Sequence, residues 1–232
     1  MTDPTSVDGD LGERLARVAA AVDDACTAVG RSPGELTTIV VTKFHPPGLI
    51  RALYALGVRD VGENRHQEAQ TKAVELDDLD GLRWHFVGQL QSKKARQARR
   101  YANAVHSLDR DSVVDALSDD SGSLVDGFVQ VNLTDDPGRG GVAEHEVERL
   151  AERVLSTPGL RLRGVMAVAP LGEEARPAFA RLRAVSERVR SLETTAVAIS
   201  AGMSPDFVEA VAEGATHLRI GTAITGSRPD AR

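Results

Sequence analysis

The chain has 232 residues, of which 41% are hydrophobic but only 3% aromatic, so its core must be built from Val, Leu, Ile and Ala. A net charge of −6 argues against a general nucleic-acid or membrane-surface binder, and a single cysteine, Cys26, rules out an intramolecular disulfide and Cys-rich metal sites. No apolar run is long enough to span a bilayer, and the polar, acidic start lacks signal-peptide character, so a soluble cytoplasmic protein is expected.

Residues 1–9 read as a disordered tail and 10–232 as one domain. From Leu11, apolar residues recur at Leu15, Val18, Val22, Ala25 and Val29, a helical stripe with Asp10 and Glu13 as a capping box and Gly30 as its stop. The β-branched run Thr37–Lys43 follows as a strand, then a helix from Pro47 to Leu56. The same unit recurs. Strands are expected at Val58–Val61, Leu82–Val87, Ala104–Ser107, Phe128–Leu133, Leu160–Val168, Thr195–Ser200 and His217–Ile220, each followed by a helical pattern or, at the last, a helix-like start. No interval has the composition of an interdomain linker. Eight strand–helix units in a chain of this length are the arithmetic of an α/β fold of the (β/α)8 TIM-barrel type, here with an additional N-terminal helix. A doubly wound open sheet is the alternative; no Gly-x-Gly-x-x-Gly follows the first strand to support its dinucleotide-binding form.

In a barrel, chemistry sits at the C-terminal strand ends. Standing there are Lys43, Glu63-Asn64, His85, Ser107, Asn132, Met166, Ser200 and Arg219, whereas Glu35, Arg59, Arg83 and Arg161 at the opposite ends are ordinary charges. Lys43 is conspicuous because only four of the 28 basic residues are lysines, and an amine, unlike a guanidinium, can attack a carbonyl to form a Schiff base. The loops Ser200-Ala201-Gly202-Met203-Ser204 and Arg219-Ile220-Gly221-Thr222 follow strands seven and eight, the usual phosphate cradle of this fold. Strand eight closes onto strand one, so amine and cradle are neighbours. Pyridoxal 5′-phosphate (PLP), which joins an aldehyde to a phosphate, fits; so does the sugar phosphate of a lysine-dependent aldolase.

Several motifs then carry a resemblance: Val41-Thr42-Lys43, Gly62-Glu63-Asn64-x-x-Gln67-Glu68, Trp84-His85-Phe86-Val87-Gly88, His106-Ser107-x-Asp109, Gln130-Val131-Asn132, Gly164-Val165-Met166, Ser200-x-Gly202-Met203-Ser204-x-Asp206 and Arg219-Ile220-Gly221-Thr222. In this order the chain resembles the PLP homeostasis protein family, whose barrel is similar to the N-terminal domain of alanine racemase (fold type III). The resemblance implies that Lys43 carries PLP as an internal aldimine, that Ser200, Gly221 and Thr222 hold the phosphate, and that Gly202 is among the cofactor-binding residues. It places Arg219 at the pyridine nitrogen and Asn64, His85, Met166 and Met203 along the pocket. Ala201, Lys93, Arg139-Gly140-Gly141 and Thr225 depart from the family pattern but remove no group assigned to the cofactor.

The implied role is intracellular PLP buffering or delivery with little or no catalysis, by a monomer or weakly associating protein whose partners are PLP and apo PLP-enzymes. A guanidinium facing the ring nitrogen keeps that nitrogen unprotonated, making the ring a poor electron sink. A racemase also needs a second acid–base group, and the only tyrosines, Tyr54 and Tyr101, fall on expected helices. A low-turnover amino-acid racemase is the alternative function. The basic run Lys93, Lys94, Arg96, Arg99 and Arg100 reads as a solvated helix face, the six histidines lack metal-ligand spacing, and Cys26 reads as packing. His85, between Trp84 and Phe86, is expected to face the barrel interior.

Overall fold

The computed structural model describes residues 4–134 and 136–227. Eight parallel strands, β1 (Thr37–Val41), β2 (Asp60–Glu63), β3 (Arg83–Phe86), β4 (Ala104–Leu108), β5 (Val125–Gln130), β6 (Leu160–Met166), β7 (Ala198–Ser200) and β8 (His217–Ile220), close into a barrel in chain order. The closing pair aligns Thr37–Val40 of β1 with His217–Ile220 of β8. That register puts the loop carrying Lys43 beside the loop that begins at Gly221.

Alternation along the strands sorts the side chains into two layers. Val40, Phe86, Val105, Val129, Val165 and Ile199 face outward into one continuous buried cluster under the helices, at roughly 1.5–3 kcal/mol per large side chain buried. Inward, Ala104, Phe128, Met166 and Ala198 form a small apolar plug. Beside the plug the interior holds His85, His106, Ser200 and Arg219, each no more than 5% exposed. Groups like these are buried only with partners, and their partners prove informative below.

The helices are α1 (Pro4–Ala28), α2 (Pro47–Ala55), α3 (His66–Glu75), α4 (Ser92–Ala98), α5 (Asp111–Ala116), α6 (Val147–Leu155), α7 (Ala175–Leu192), α8 (Phe207–Ala212) and α9 (Thr222–Thr225). α1 is the expected additional N-terminal helix: Leu11, Val18, Val22, Ala25 and Cys26 are its buried stripe. It starts at Pro4 rather than near Leu11, so part of the segment expected to be a tail is helical, while positions 1–3 lie outside the described residues. Asp10 is therefore inside the helix, where it pairs with Arg14 instead of capping. Arg14 Nε donates to the Ile224 carbonyl (2.6 Å), and Arg31 Nη1 donates to the Val211 and Ala215 carbonyls (3.0 and 2.8 Å). α1 and the turn just after it thus fasten α8 and α9, the helices that follow the last two strands.

Several boundaries moved: β2 is Asp60–Glu63 rather than Val58–Val61, β7 starts at Ala198 rather than Thr195, and two further shifts have clear reasons. β1 ends at Val41: the Thr42 N–H still donates to the Gly62 carbonyl (2.9 Å), but its own carbonyl accepts from the His45 N–H (3.1 Å) and Lys72 Nζ (3.0 Å) rather than from β2. β5 begins at Val125 rather than Phe128; Asp126 and Gly127 interrupt the apolar pattern, but a Cβ at Gly127 would stand 2.7 Å from Leu108 Cδ1. The gap left by that glycine is where Leu108 packs.

Candidate cofactor site at the C-terminal mouth

Lys43 sits two residues past β1 on a loop gripped from three sides. Thr42 Oγ1 donates to Glu63 Oε1 (2.7 Å), Lys72 Nζ donates to the Thr42 carbonyl (3.0 Å), and the Phe44 N–H donates to Glu68 Oε1 (2.6 Å). Lys72 ties the grip together by reaching Glu63 Oε1 at 2.7 Å and Glu68 Oε1 at 2.6 Å. Phe44 takes φ 69°, the sole positive value among described non-glycine residues. Such backbone persists only when its surroundings over-determine it, and here the three hydrogen bonds do so. The loop's side chain is left exposed, with Lys43 Nζ 5.9 Å from the Phe44 ring centroid.

Across the mouth, Arg219 enters from the interior of β8. Its Nη1 donates to Ser200 Oγ (2.7 Å) and its Nη2 to the Ala167 carbonyl (2.8 Å). Burial, only partly offset by Asp206, pushes its pKa down to about 10, so it stays a cation at neutral pH. Among the described residues it makes no ion pair. A buried cation without a carboxylate partner is costly, and a ligand supplying acceptor atoms would relieve that cost.

Lys43, Arg219, Asn64, Met203, Gly221 and Thr222 line one cleft of about 370 Å³, joined by Val41, Val87, Gly88, Val168, Ser204 and Pro205. Asn64 Oδ1 is buried there without a hydrogen-bond partner. The cleft closes tightly on that side: a Cβ at Gly88 would stand 2.3 Å from the Asn64 carbonyl oxygen. On the other side the Met203 N–H donates to Asp206 Oδ1 (2.6 Å), folding the loop after β7 back on itself. At the start of α9 the Thr222 and Ala223 N–H groups precede the first turn's bonds, whereas Ile224 and Thr225 donate to the Gly221 carbonyl (2.8 and 3.0 Å).

Six of the ten sequence-assigned residues thus meet in the cleft: Lys43, Asn64, Met203, Arg219, Gly221 and Thr222. Four stand elsewhere. Ser200 is fully buried, with its hydroxyl between His106 and Arg219, so it does not reach the cleft. Gly202 is needed for its backbone: φ is +91°, and a Cβ there would be 2.8 Å from Ala210 Cβ. Met166 belongs to the apolar plug. His85 does face the interior, but it lines a cavity at the opposite, N-terminal mouth with Asp60 and His217. Missed from sequence were Lys72, counted only as a scarce lysine, and the pair His106 and Asp60. Glu68 and Lys72 at i,i+4 were the available signal for the first; no local pattern marks the second.

Both tyrosines are engaged away from the cleft. Tyr54 donates to the Asp80 carbonyl (2.8 Å) under the Arg59 guanidinium, and Tyr101 stacks on His66. Arg99, within the basic run, is structural: its Nη1 donates to the Leu117 and Gly159 carbonyls (3.0 and 2.8 Å). No described helix is long and apolar enough to cross a membrane.

A family model described as the alanine racemase N-terminal domain matches residues 16–229. A pyridoxal phosphate homeostasis protein of Corynebacterium glutamicum is 40% identical over 220 residues, covering 90% of this chain and 98% of the relative. One of Pseudomonas aeruginosa is 40% identical over 224 residues, covering 94% and 96%. Among solved structures, PipY of Synechococcus elongatus with PLP bound is 34% identical with a TM-score of 0.79, covering 93% of this chain and all of that one. Alanine racemase of C. glutamicum, at 16% identity and a TM-score of 0.66, shares the fold over 62% of its own length. With the domain model spanning the barrel and such identity held almost end to end, this chain belongs to the pyridoxal phosphate homeostasis protein family.

Proposed function

We propose that the chain binds PLP at the C-terminal mouth through Lys43 and serves intracellular PLP homeostasis, holding and handing on the cofactor rather than turning over a substrate. The observation that carries this is one cleft of about 370 Å³ with the Lys43 amine on one side and a buried, unpaired Arg219 on the other. The volume suits a small ligand. The names of the relatives and the PLP-bound neighbour support the same reading. When bound, PLP supplies an aldehyde that condenses with an amine, a phosphate dianion and a pyridine ring able to act as an electron sink.

Lys43 is the nucleophile, presented by a loop whose Thr42 and Phe44 are held while its side chain stays free to reach. Gly221, Thr222 and Ser204 bring backbone N–H groups and hydroxyls to the phosphate end. Arg219 can only donate hydrogen bonds, so a ring nitrogen facing it must accept and remain unprotonated. Asn64 brings its unpartnered oxygen, and Met203 and Val168 supply apolar walls. Among the described residues no carboxylate, imidazole, thiol or phenol lines the cleft. That leaves Lys43 without the opposing acid–base partner that racemisation requires.

Purified holo-protein should be yellow, and Lys43→Ala colourless. It should pass PLP to an apo-enzyme faster than PLP is released into solution, and leave D- and L-amino acids unturned. Colour that persists in Lys43→Ala would overturn the binding mode. Racemisation at ordinary enzyme rates, or transfer no faster than free release, would overturn the homeostatic role.

A further inference from the structure

A line of hydrogen bonds runs down the barrel axis away from the cleft. Arg219 Nη1 donates to Ser200 Oγ at 2.7 Å, and Ser200 Oγ lies 2.8 Å from His106 Nδ1. His106 Nε2 lies 2.9 Å from His85 Nδ1, and His85 Nε2 lies 2.8 Å from Asp60 Oδ1. Strands β8, β7, β4, β3 and β2 each contribute one side chain. The line starts at the cofactor cleft and ends at the cavity of about 250 Å³ in the N-terminal mouth.

The ends set its direction. A guanidinium only donates and a carboxylate only accepts. Ser200 Oγ therefore accepts from Arg219, and the acceptor in place for its single proton is His106 Nδ1. His106 must then donate through Nε2 to His85 Nδ1, and His85 through Nε2 to Asp60. In the opposite order Ser200 would take two donors and have nowhere to place its own proton. Phe128 stacks on His106 at 4.1 Å and 10°, fixing the ring plane. Burial, with His85, His217 and Arg219 around it, holds the His106 pKa well below its ordinary value, so the ring is neutral as this order requires.

We infer that Ser200, His106, His85 and Asp60 form a one-way hydrogen-bond relay that positions Arg219 against the cofactor ring and ends on a carboxylate at the far mouth of the barrel. The relay commits one N–H on each Nη of Arg219, counting the Ala167 carbonyl, and leaves its other donors for the ligand. It also gives hydrogen-bonding partners to a buried guanidinium that makes no ion pair among the described residues and feels Asp206 only at a distance. Donors aligned head to tail strengthen one another, and a carboxylate at the end stabilises positive charge at the start. The inference rests on Arg219 being the group that meets the ring nitrogen; the four side chains are positioning residues and touch no ligand.

Nitrogen-15 NMR of the imidazoles in cofactor-free protein tests the relay directly, with His85→Gln and His106→Gln for assignment. At neutral pH both rings should carry hydrogen on Nε2 and none on Nδ1. Asp60→Ala alone should leave both tautomers in place, because Arg219 still sets the order from the other end. Asp60→Ala combined with Ser200→Ala should release His85 and His106 together, while His217→Gln, altering a neighbour outside the line, should shift neither. A proton on Nδ1 of either ring in the native chain, or tautomers that the double variant leaves unchanged, overturns it. In a second arm, His106→Phe should weaken PLP binding roughly tenfold, the scale of a hydrogen bond to a charged group. Binding of the PLP analogue with carbon in place of the ring nitrogen should change by less than about twofold, and His106→Gln, which keeps an acceptor, should recover most of the loss. Equal weakening of both ligands would reduce the relay to packing and overturn its positioning role. If the native chain bound neither ligand, the cofactor reading would fall while the tautomer result still judged the relay.

Discussion

Lys72 offers a demanding test of how the Lys43 loop is held. Lys72→Met keeps the length of the side chain and removes three charge-assisted contacts, to Glu63 at 2.7 Å, Glu68 at 2.6 Å and the Thr42 carbonyl at 3.0 Å. Glu63 is 1% exposed and would be left buried without its cation. Breaking one side of such a pair costs about 3–5 kcal/mol, a large share of the roughly 5–15 kcal/mol that stabilises a typical domain. The cost should depend on pH. Burial already raises the Glu63 carboxyl above its ordinary value of 4.5, against the lowering influence of Lys72 and Thr42. Without Lys72 the carboxyl shifts further up, so the folded variant keeps a proton that the unfolded chain releases. Its stability is retained at acid pH and lost as pH rises past the ordinary carboxylate range.

Urea titrations followed by circular dichroism, at about pH 5 and about pH 8, measure the effect. Lys72→Met should be markedly weaker at the higher pH, and adding Glu63→Gln should restore stability by removing the stranded charge. A loss below about 1 kcal/mol at the higher pH, or a double variant weaker than the single one, would refute the reasoning.

Three further expectations follow from the geometry. Gly202→Ala forces a Cβ to 2.8 Å from Ala210 Cβ at φ +91°, and thermal unfolding should show a loss of about 2–4 kcal/mol. His217 is half-buried beside His85 and Arg163, and desolvation, with those two groups, pushes its pKa down from 6.5 to about 4. Its neutral form therefore contributes stability that is complete above 6.5 and lost as pH falls toward about 4, and His217→Gln should flatten that acid slope by up to about 3 kcal/mol. Thr42→Val deletes the hydroxyl that donates to Glu63 at 2.7 Å. It should cost about 1–2 kcal/mol of stability and weaken PLP binding, read by absorbance titration, without abolishing the Lys43 adduct.

The barrel was legible because strand–helix alternation survives in composition: β-branched runs, small-residue exits and amphipathic helices recur in order. The closure of β8 on β1 then brought Lys43, Arg219, Gly221 and Thr222 together, and the family resemblance added Asn64 and Met203. What sequence could not resolve was depth. Ser200 and His85 both stand at strand exits, yet one points across the interior to Arg219 and the other down to Asp60. A strand's period fixes the face of a side chain but not which end of the barrel it reaches. Asp60 carries no local signal, because its partner His85 arrives only when β3 pairs with β2. Lys72 was likewise a charge on a helix until Glu63 and Glu68 closed around it.

The most direct test of the central claim is borohydride reduction of PLP-loaded protein followed by peptide mass mapping. One phosphopyridoxyl mass addition is expected, on the peptide containing Lys43, and none in Lys43→Ala. Stable label on Lys72, Lys93 or Lys94 in the native chain, or no label on Lys43, would contradict it.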